Sequence, residues 1–276
     1  MRVHVYSCCW NEIAVAEFFI RHYESFVERI VIYDEDSTDG TREFLQTRPK
    51  VELRRFVRSN ANSFELSKQT VQNQSWKESR GEADYVIIVD IDEHIFHPNI
   101  TEYLTEQKHA GVTIVPTLGF QMVAEDFPSK DEHLASTRTI GFPDYLYSKP
   151  CLFDPKAIEE INLGVGSHSA RPNGRVNIPE RDELLLLHYK YLGFEYLSSR
   201  YKQLAPRIGS VDVKNHWDVQ FFKSPEECHL LFAEAKGKVI DIAAPEFSPS
   251  RLHAKPSWRR VQNGHTPADF IAMAPE

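Results

Sequence analysis

A regular alternation over roughly the first 90 residues constrains this chain more than any other feature. Short apolar runs at 3–7 (VHVYS), 29–33 (RIVIY), 51–56 (VELRRF) and 85–89 (YVIIV) read as strands. The segments between them, 12–28, 41–47 and 64–80, read as helices. In the first of these, Ile13, Ala16, Phe19, Ile20 and Tyr23 recur at spacings of three and four, and Asn11 stands at the N-cap position. The order β-α-β-α-β-α-β predicts an α/β fold with a mostly parallel central sheet flanked by helices. YVIIV is apolar at every position, as expected of a central strand covered on both faces. Right-handed crossovers bring the carboxyl ends of such strands to one edge, and ligands bind outside that edge. Three polar clusters, 8–12, 34–39 and 90–93, are expected to meet there.

The second half is less regular. Strands are expected at 112–116 and on through 123, at 145–153, and at 183–189 (ELLLLHY), the last ending in His188. Residues 125–142 read as a polar loop. Gly164, Gly166 and Gly174 mark 161–175 as a tightly turning loop. Helices are expected at 194–204 and 225–236. One domain is therefore expected over 1–242, in halves 1–110 and 111–242, with 243–276 an extended tail or linker.

Composition removes several classes. With 41% hydrophobic and 26% charged residues among 276, the chain is neither low-complexity nor collagen-like nor a disulfide-stapled mini-protein. A net charge of −8 argues against bulk nucleic-acid binding. Cys8, Cys9, Cys151 and Cys228 lack zinc-ligand spacing and are expected as reduced thiols. The opening MRVHVYSCCW carries no signal-peptide pattern, and no apolar run approaches the ~20 residues of a membrane span. The expected location is cytoplasmic, or at the inner face of a membrane.

The sharpest motif is VIIVDIDEHIF. Asp90 and Asp92 follow a buried strand and, at i and i+2, share one face roughly 6–7 Å apart. Two carboxylates so placed suit Mg2+ or Mn2+, which favour oxygen ligands and leave positions for phosphate. A solvated acidic turn is the plainer reading of a bare DxD. Asp34, Glu35 and Asp36 in RIVIYDEDSTDGT can accept hydrogen bonds from ribose hydroxyls or a base imide, or simply make a turn. His168 in GVGSHSA and His188 can each complete a metal site or sit as satisfied edge histidines. Cys8 to Glu12 read as a small-residue floor, and a cysteine nucleophile would need an electropositive setting. Glu125, Asp126 and Asp144 suit general-base work, and Lys149, Arg171, Arg200 and Arg207 suit phosphate; all can equally be surface charges.

Taken in order, WNE after the first strand, VIYDEDSTDGT and VIIVDIDEHIF resemble a GT-A-type glycosyltransferase of the family 2 superfamily. The DxDE form resembles the family 92-like branch, as do GFQMVAEDFP, YSKPCLFDP and LLLLHYKYLGFEYLSSRY, so that the likeness covers about residues 1–205. The resemblance implies a GT-A (Rossmann-like) fold whose first half, 1–110, binds a nucleotide-diphosphate sugar and whose second half, 111–242, faces a glycan acceptor. It implies Asp90 and Asp92 as ligands of Mn2+ or Mg2+ on the diphosphate, with His188 or His168 as a third. Nucleoside contacts then fall to Cys8, Glu35 and Asp36, beside Glu12 and Asp34, and leaving-group charge to Lys149 and Arg200. Inverting transfer in polysaccharide biosynthesis is implied, with Glu125 or Asp126, then Asp144, as base. Glu35 stands where relatives carry Asp or Asn, and GVGSHSA has no acid where relatives carry the base. The rivals are a GT-A-like domain without catalysis that binds a carbohydrate or protein partner, and a haloacid-dehalogenase-type phosphohydrolase. The second expects Thr or Val after its DxD, where this chain has Glu93 and His94.

Overall fold

The computed structural model describes residues 1–249 and the backbone of a short strand at Phe270–Ile271. The rest of the expected tail lies outside the described residues. The first half runs β1 (Val3–Cys9), α1 (Ile13–Tyr23), β2 (Arg29–Asp34), α2 (Thr41–Gln46), β3 (Val51–Arg55), α3 (Phe64–Gln74), β4 (Tyr85–Ile88), β5 (Glu93–Phe96) and α4 (Ile100–His109). Then come β6 (Ile114–Val115), β7 (Leu118–Ala124), α5 (Leu134–Thr137), β8 (Ile140–Pro143), β9 (Leu152–Phe153), β10 (Ile158–Glu160), β11 (Ser169–Ala170) and β12 (Asn173–Gly174). The last elements are β13 (Leu185–Leu192), α6 (Phe194–Leu204), α7 (Ser210–Lys214), α8 (Pro225–Lys236), β14 (Ile240–Asp241) and β15 (Phe270–Ile271), which pairs with β11.

The fold is mixed α/β, as expected. A six-stranded sheet has the order β3-β2-β1-β4-β9-β6, and β3, β2, β1 and β4 run parallel. β1 is buried along its whole length because it lies inside the sheet under helices. Phe19, Ile20 and Tyr23 of α1 are buried in the same core, and Trp76 meets the Phe153 ring edge-on at 4.9 Å. The register sets Cys9 beside Asp34 and Tyr6 beside Ile88, so Asp90 emerges at the same edge as the first two polar clusters.

A second sheet, β14-β8-β7-β13-β5, stands against the first and carries the other wall of the site. Its register places Gln121, His188 and Glu93 side by side on β7, β13 and β5. Directly opposite residues share a face, so the three form one row.

Several expected bounds shift. α1 ends at Tyr23, and the following turn lets the Glu28 N–H reach the Val3 carbonyl, which delivers β2 beside β1. The helix expected to reach residue 80 becomes α3 and a 3-10 turn at Ser75–Ser79. The 125–142 stretch holds α5 and β8. The strand expected over 145–153 exists only as β9, because Tyr145–Tyr147 is a 3-10 turn and Pro150 has no N–H for a ladder. β13 runs on to Leu192, so His188 lies inside the strand and not at its end.

Candidate active site

A cleft open to solvent lies at the carboxyl edge of the parallel strands. Asp90 and Asp92 form its floor because β4, fully buried, ends just before them. The turn is locked by Glu93, whose Oε2 accepts the Asp90 N–H at 3.1 Å. Its other oxygen takes the Lys149 ammonium at 2.5 Å, both side chains being buried. Glu93 is therefore a strut, and Lys149 is tied to it at the cleft floor. Lys68 from α3 reaches the Asp90 carboxylate at 3.2 Å and Glu65 at 3.3 Å. Burial opposes ionisation of Asp90, but Lys68 and then Lys149 outweigh it and hold its carboxyl below the usual range.

Asp92 Oδ2 lies 3.1 Å from His188 Nε2. Burial opposes ionisation here too, and His188 followed by Arg200 and Lys149 keeps the carboxyl low. His188 Nδ1 is 2.7 Å from Gln121 Oε1, and Gln121 Nε2 donates to Asp144 Oδ2 at 2.9 Å. The Tyr147 ring stacks on the imidazole, 4.3 Å away and 18° from parallel. Among the described residues no three His, Cys, Asp or Glu side chains already converge as a metal cage. Mg2+ and Mn2+ sites characteristically combine one or two protein carboxylates with water and substrate phosphate, so two carboxylates and one imidazole at this floor fit such an ion.

The acidic turn after β2 is mostly spoken for. Asp34 is fully buried and accepts from Arg42 at 2.6 Å, the Ser37 N–H at 3.1 Å and the Cys9 thiol at 3.4 Å. Glu35 pairs with Arg58 and Arg207, and the Arg207 guanidinium lies over the Trp10 ring at 3.6 Å. Asp36 is exposed and pairs with Arg55 at 2.8 Å. None of the three acids lines the cleft, whereas Arg207 and Trp10 do. Cys8 does line it, but burial pushes its thiol well above the ordinary value, so it is no nucleophile at neutral pH. Glu12 pairs with Arg200, which also donates to the Asn11 carbonyl at 2.9 Å. Burial, with Asp92 and Asp90 nearby, outweighs Arg200 and raises Glu12 to about 8.

The expected bases sit elsewhere. Glu125 is exposed and paired with Lys236 at 2.5 Å, and Asp126 is exposed beyond the end of β7. Neither lines the cleft, because β7 carries its last residues past the floor. Asp144 caps the 145–147 turn, accepting the Leu146 N–H at 3.1 Å, and reaches the site only through Gln121. His168 lines the cleft with Nδ1 on the Leu146 carbonyl at 2.5 Å, meets Tyr147 edge-on, and is lowered to about 3 chiefly by burial. Arg171 lies in a separate shallow groove with Gln69 and Asn73.

Residues that sequence reading passed over also line the cleft, among them Glu65, Lys68, Tyr147, Lys190 and Asp218. Gln121 carried a signal, being a lone amide inside the otherwise apolar run LGFQMVA. Lys68 and Asp218 carried none, since each reads as an ordinary solvated charge.

No curated protein matches this chain. TarS 1-349 of S. aureus in complex with UDP-GlcNAc is 11% identical over 86% of this chain and 72% of that one, with a TM-score of 0.43. The glucosyl-3-phosphoglycerate synthase of Mycobacterium tuberculosis in complex with Mn2+, UDP and phosphoglyceric acid is 17% identical over 44% and 43%, with a TM-score of 0.32. Likeness that remote assigns no role to a residue here. The sequence itself is more informative, because it matches glycosyltransferase family 92 from residue 11 to 226, a span that holds the DxDE turn, the strand bearing His188 and the wall bearing Arg200 and Asp218. A match over most of the chain, with its site residues gathered in one cleft, places the protein in glycosyltransferase family 92.

Proposed function

We propose that the chain transfers a sugar, with inversion, from a nucleotide-diphosphate donor to a hydroxyl group of a glycan acceptor, with a divalent cation at the DxD floor. One observation carries this reading. Asp92, in the turn before β5, and His188 of the adjoining β13 face each other at 3.1 Å beside Asp90, in a cleft open to solvent. Asp92 and His188 would hold Mn2+ or Mg2+, with Asp90 beside them. Bound there, the ion supplies positive charge to the diphosphate oxygens.

The chain's own residues supply the rest. Trp10 and Arg207, stacked at the cleft wall, suit a nucleobase or ribose. Arg200, and Lys190 resting on the Tyr191 and Tyr201 rings, add positive charge for the leaving group. Asp218 lines the cleft and is steadied by Gln220 Nε2 at 3.1 Å, so it suits the base role that Glu125 and Asp126 are too distant to fill. The acceptor oxygen bonds to C1 and passes its proton to Asp218. The bond from C1 to the phosphate oxygen breaks on the opposite face, and its electron pair leaves with the nucleoside diphosphate. A single displacement of this kind inverts the anomeric centre. No helix among the described residues is long and apolar enough to cross a membrane.

The test is a thermal-shift screen of nucleoside diphosphates with and without Mn2+. Saturation at a hundred times Kd stabilises a native state by about 2.7 kcal/mol. One nucleotide should raise the melting temperature only when Mn2+ is present, and Asp92→Ala should remove that response while still unfolding cooperatively. Indifference to every nucleotide would move the assignment to a carbohydrate- or partner-binding domain.

A further inference from the structure

We propose that Gln121, oriented by Asp144, is a positioning residue that fixes the tautomer of His188 and so turns His188 Nε2 into a cation ligand beside Asp92, an inference that rests on the cation reading above. Gln121 is 2% exposed, between Phe120 and Met122 at 0% each. A buried amide is costly unless both its ends are paired. Here both are, and the chemistry of the partners dictates which end faces which.

An ionised carboxylate has no proton to give, so the group facing Asp144 Oδ2 at 2.9 Å must be the Gln121 NH2. The other Asp144 oxygen is already engaged by the Leu146 N–H. The amide oxygen therefore faces His188 Nδ1 at 2.7 Å. A carbonyl oxygen only accepts, so Nδ1 carries the proton. Nε2 is then the ring nitrogen that points at Asp92 Oδ2, 3.1 Å away, and the one whose lone pair a cation can take. A cation seated between Nε2 and Oδ2 could be bound by both. The row of Gln121, His188 and Glu93 across three strands holds the imidazole in register, and the stacked Tyr147 ring opposes its rotation.

The identity of the side chain matters in this scheme. An amide oxygen orients the imidazole through Nδ1 without adding a charge of its own. A carboxylate in its place would face Asp144 with like charge, unless residue 144 were changed to donate. Three variants follow. Gln121→Leu removes the acceptor, and loss of a partner of this kind typically lowers metal affinity about 10–100-fold. Gln121→Glu repels Asp144 and should also weaken the ion's site. Gln121→Glu combined with Asp144→Asn reverses the polarity of one bond while keeping an acceptor on Nδ1, and should restore affinity.

The experiment needs no turnover. Mn2+ is titrated into the protein and free ion is read by electron paramagnetic resonance. In the metal-free wild type, nitrogen-15 chemical shifts of His188 report which ring nitrogen holds the proton. Expected are a proton on Nδ1, a Kd for Mn2+ raised about 10–100-fold in Gln121→Leu, and recovery in the double variant. A Gln121→Leu protein that unfolds cooperatively and binds Mn2+ like the wild type would overturn the positioning role and leave the cation reading intact. A wild type that binds no Mn2+ would overturn both. A proton on Nε2 with none on Nδ1 would overturn the tautomer assignment even if Gln121→Leu failed to fold.

Discussion

Lys149 illustrates how a residue suited to phosphate can be committed to structure. Its ammonium and the Glu93 carboxylate are 3% and 1% exposed, and Glu93 also holds the Asp90 N–H. Removing one partner of a buried pair strands the other charge, at about 3–5 kcal/mol. Lys149→Met should therefore lower unfolding stability by about that much in urea titrations, and Lys149→Met with Glu93→Leu should recover a large part. A single-variant loss below about 1 kcal/mol would show that the pair does not brace the DxD turn. The acids of that turn were legible in the sequence because an apolar strand precedes them. Of their cations, Lys149 was read as a phosphate group and not as the partner of Glu93, and Lys68 was not singled out, because both are distant in the chain and reach Glu93 and Asp90 only after the sheets assemble. The turn at Asp34 was legible as a turn, and its buried partners explain why its acids do not face the cleft.

The elements that the sequence located best are those with a period. β1 to β4 and their helices stand close to their expected places, since alternating strands and spaced apolar faces mark both ends. An unbroken apolar run such as Leu184–Leu187 marks neither, which is why β13 continued past His188, while 145–153 read as one strand although Ser148, Lys149 and Pro150 interrupt it. The packing of that second stretch rests on Gly119 of β7. A Cβ there would lie 2.4 Å from the Tyr147 carbonyl carbon and 2.5 Å from the Asp144 carbonyl oxygen. Both contacts are with backbone, so neither can be relieved by a rotamer change. Gly119→Ala should push the 145–147 turn away, at roughly 1–3 kcal/mol. It should also slide Tyr147 off the His188 ring and weaken Mn2+ binding, although residue 119 touches neither ligand. Unchanged stability together with wild-type Mn2+ affinity would show that the turn adapts freely.

Across the whole molecule, in a chain of net charge −8, the cleft brings Glu12 close to Asp90 and Asp92, and one consequence is a pH dependence. Glu12 is held up to about 8 by burial and by Asp92 and Asp90, against an ordinary value of 4.5. Between those two values the folded protein keeps a proton that the unfolded chain releases. Stability then falls as pH rises through this window and levels off above the folded pKa. Each unit of difference is worth about 1.4 kcal/mol, so the drop amounts to a few kcal/mol. Asp92 has the opposite sign, but its carboxyl is held so low that its contribution is lost only in strong acid, outside the window. Above about pH 7 the histidines held low by burial, His22, His94 and His168 among them, are neutral in both states, so melting temperatures measured from about pH 7 to about pH 8.5 should decline in the wild type and stay flatter in Glu12→Gln. Mn2+ should flatten the wild-type curve as well, because positive charge beside Asp90 and Asp92 lowers the pKa of Glu12 towards its unfolded value. Parallel curves for wild type and Glu12→Gln would mean that Arg200, which pairs with Glu12, dominates its field. A flat variant curve with no response to Mn2+ in the wild type would keep the Glu12 assignment and remove the cation from the floor of the cleft.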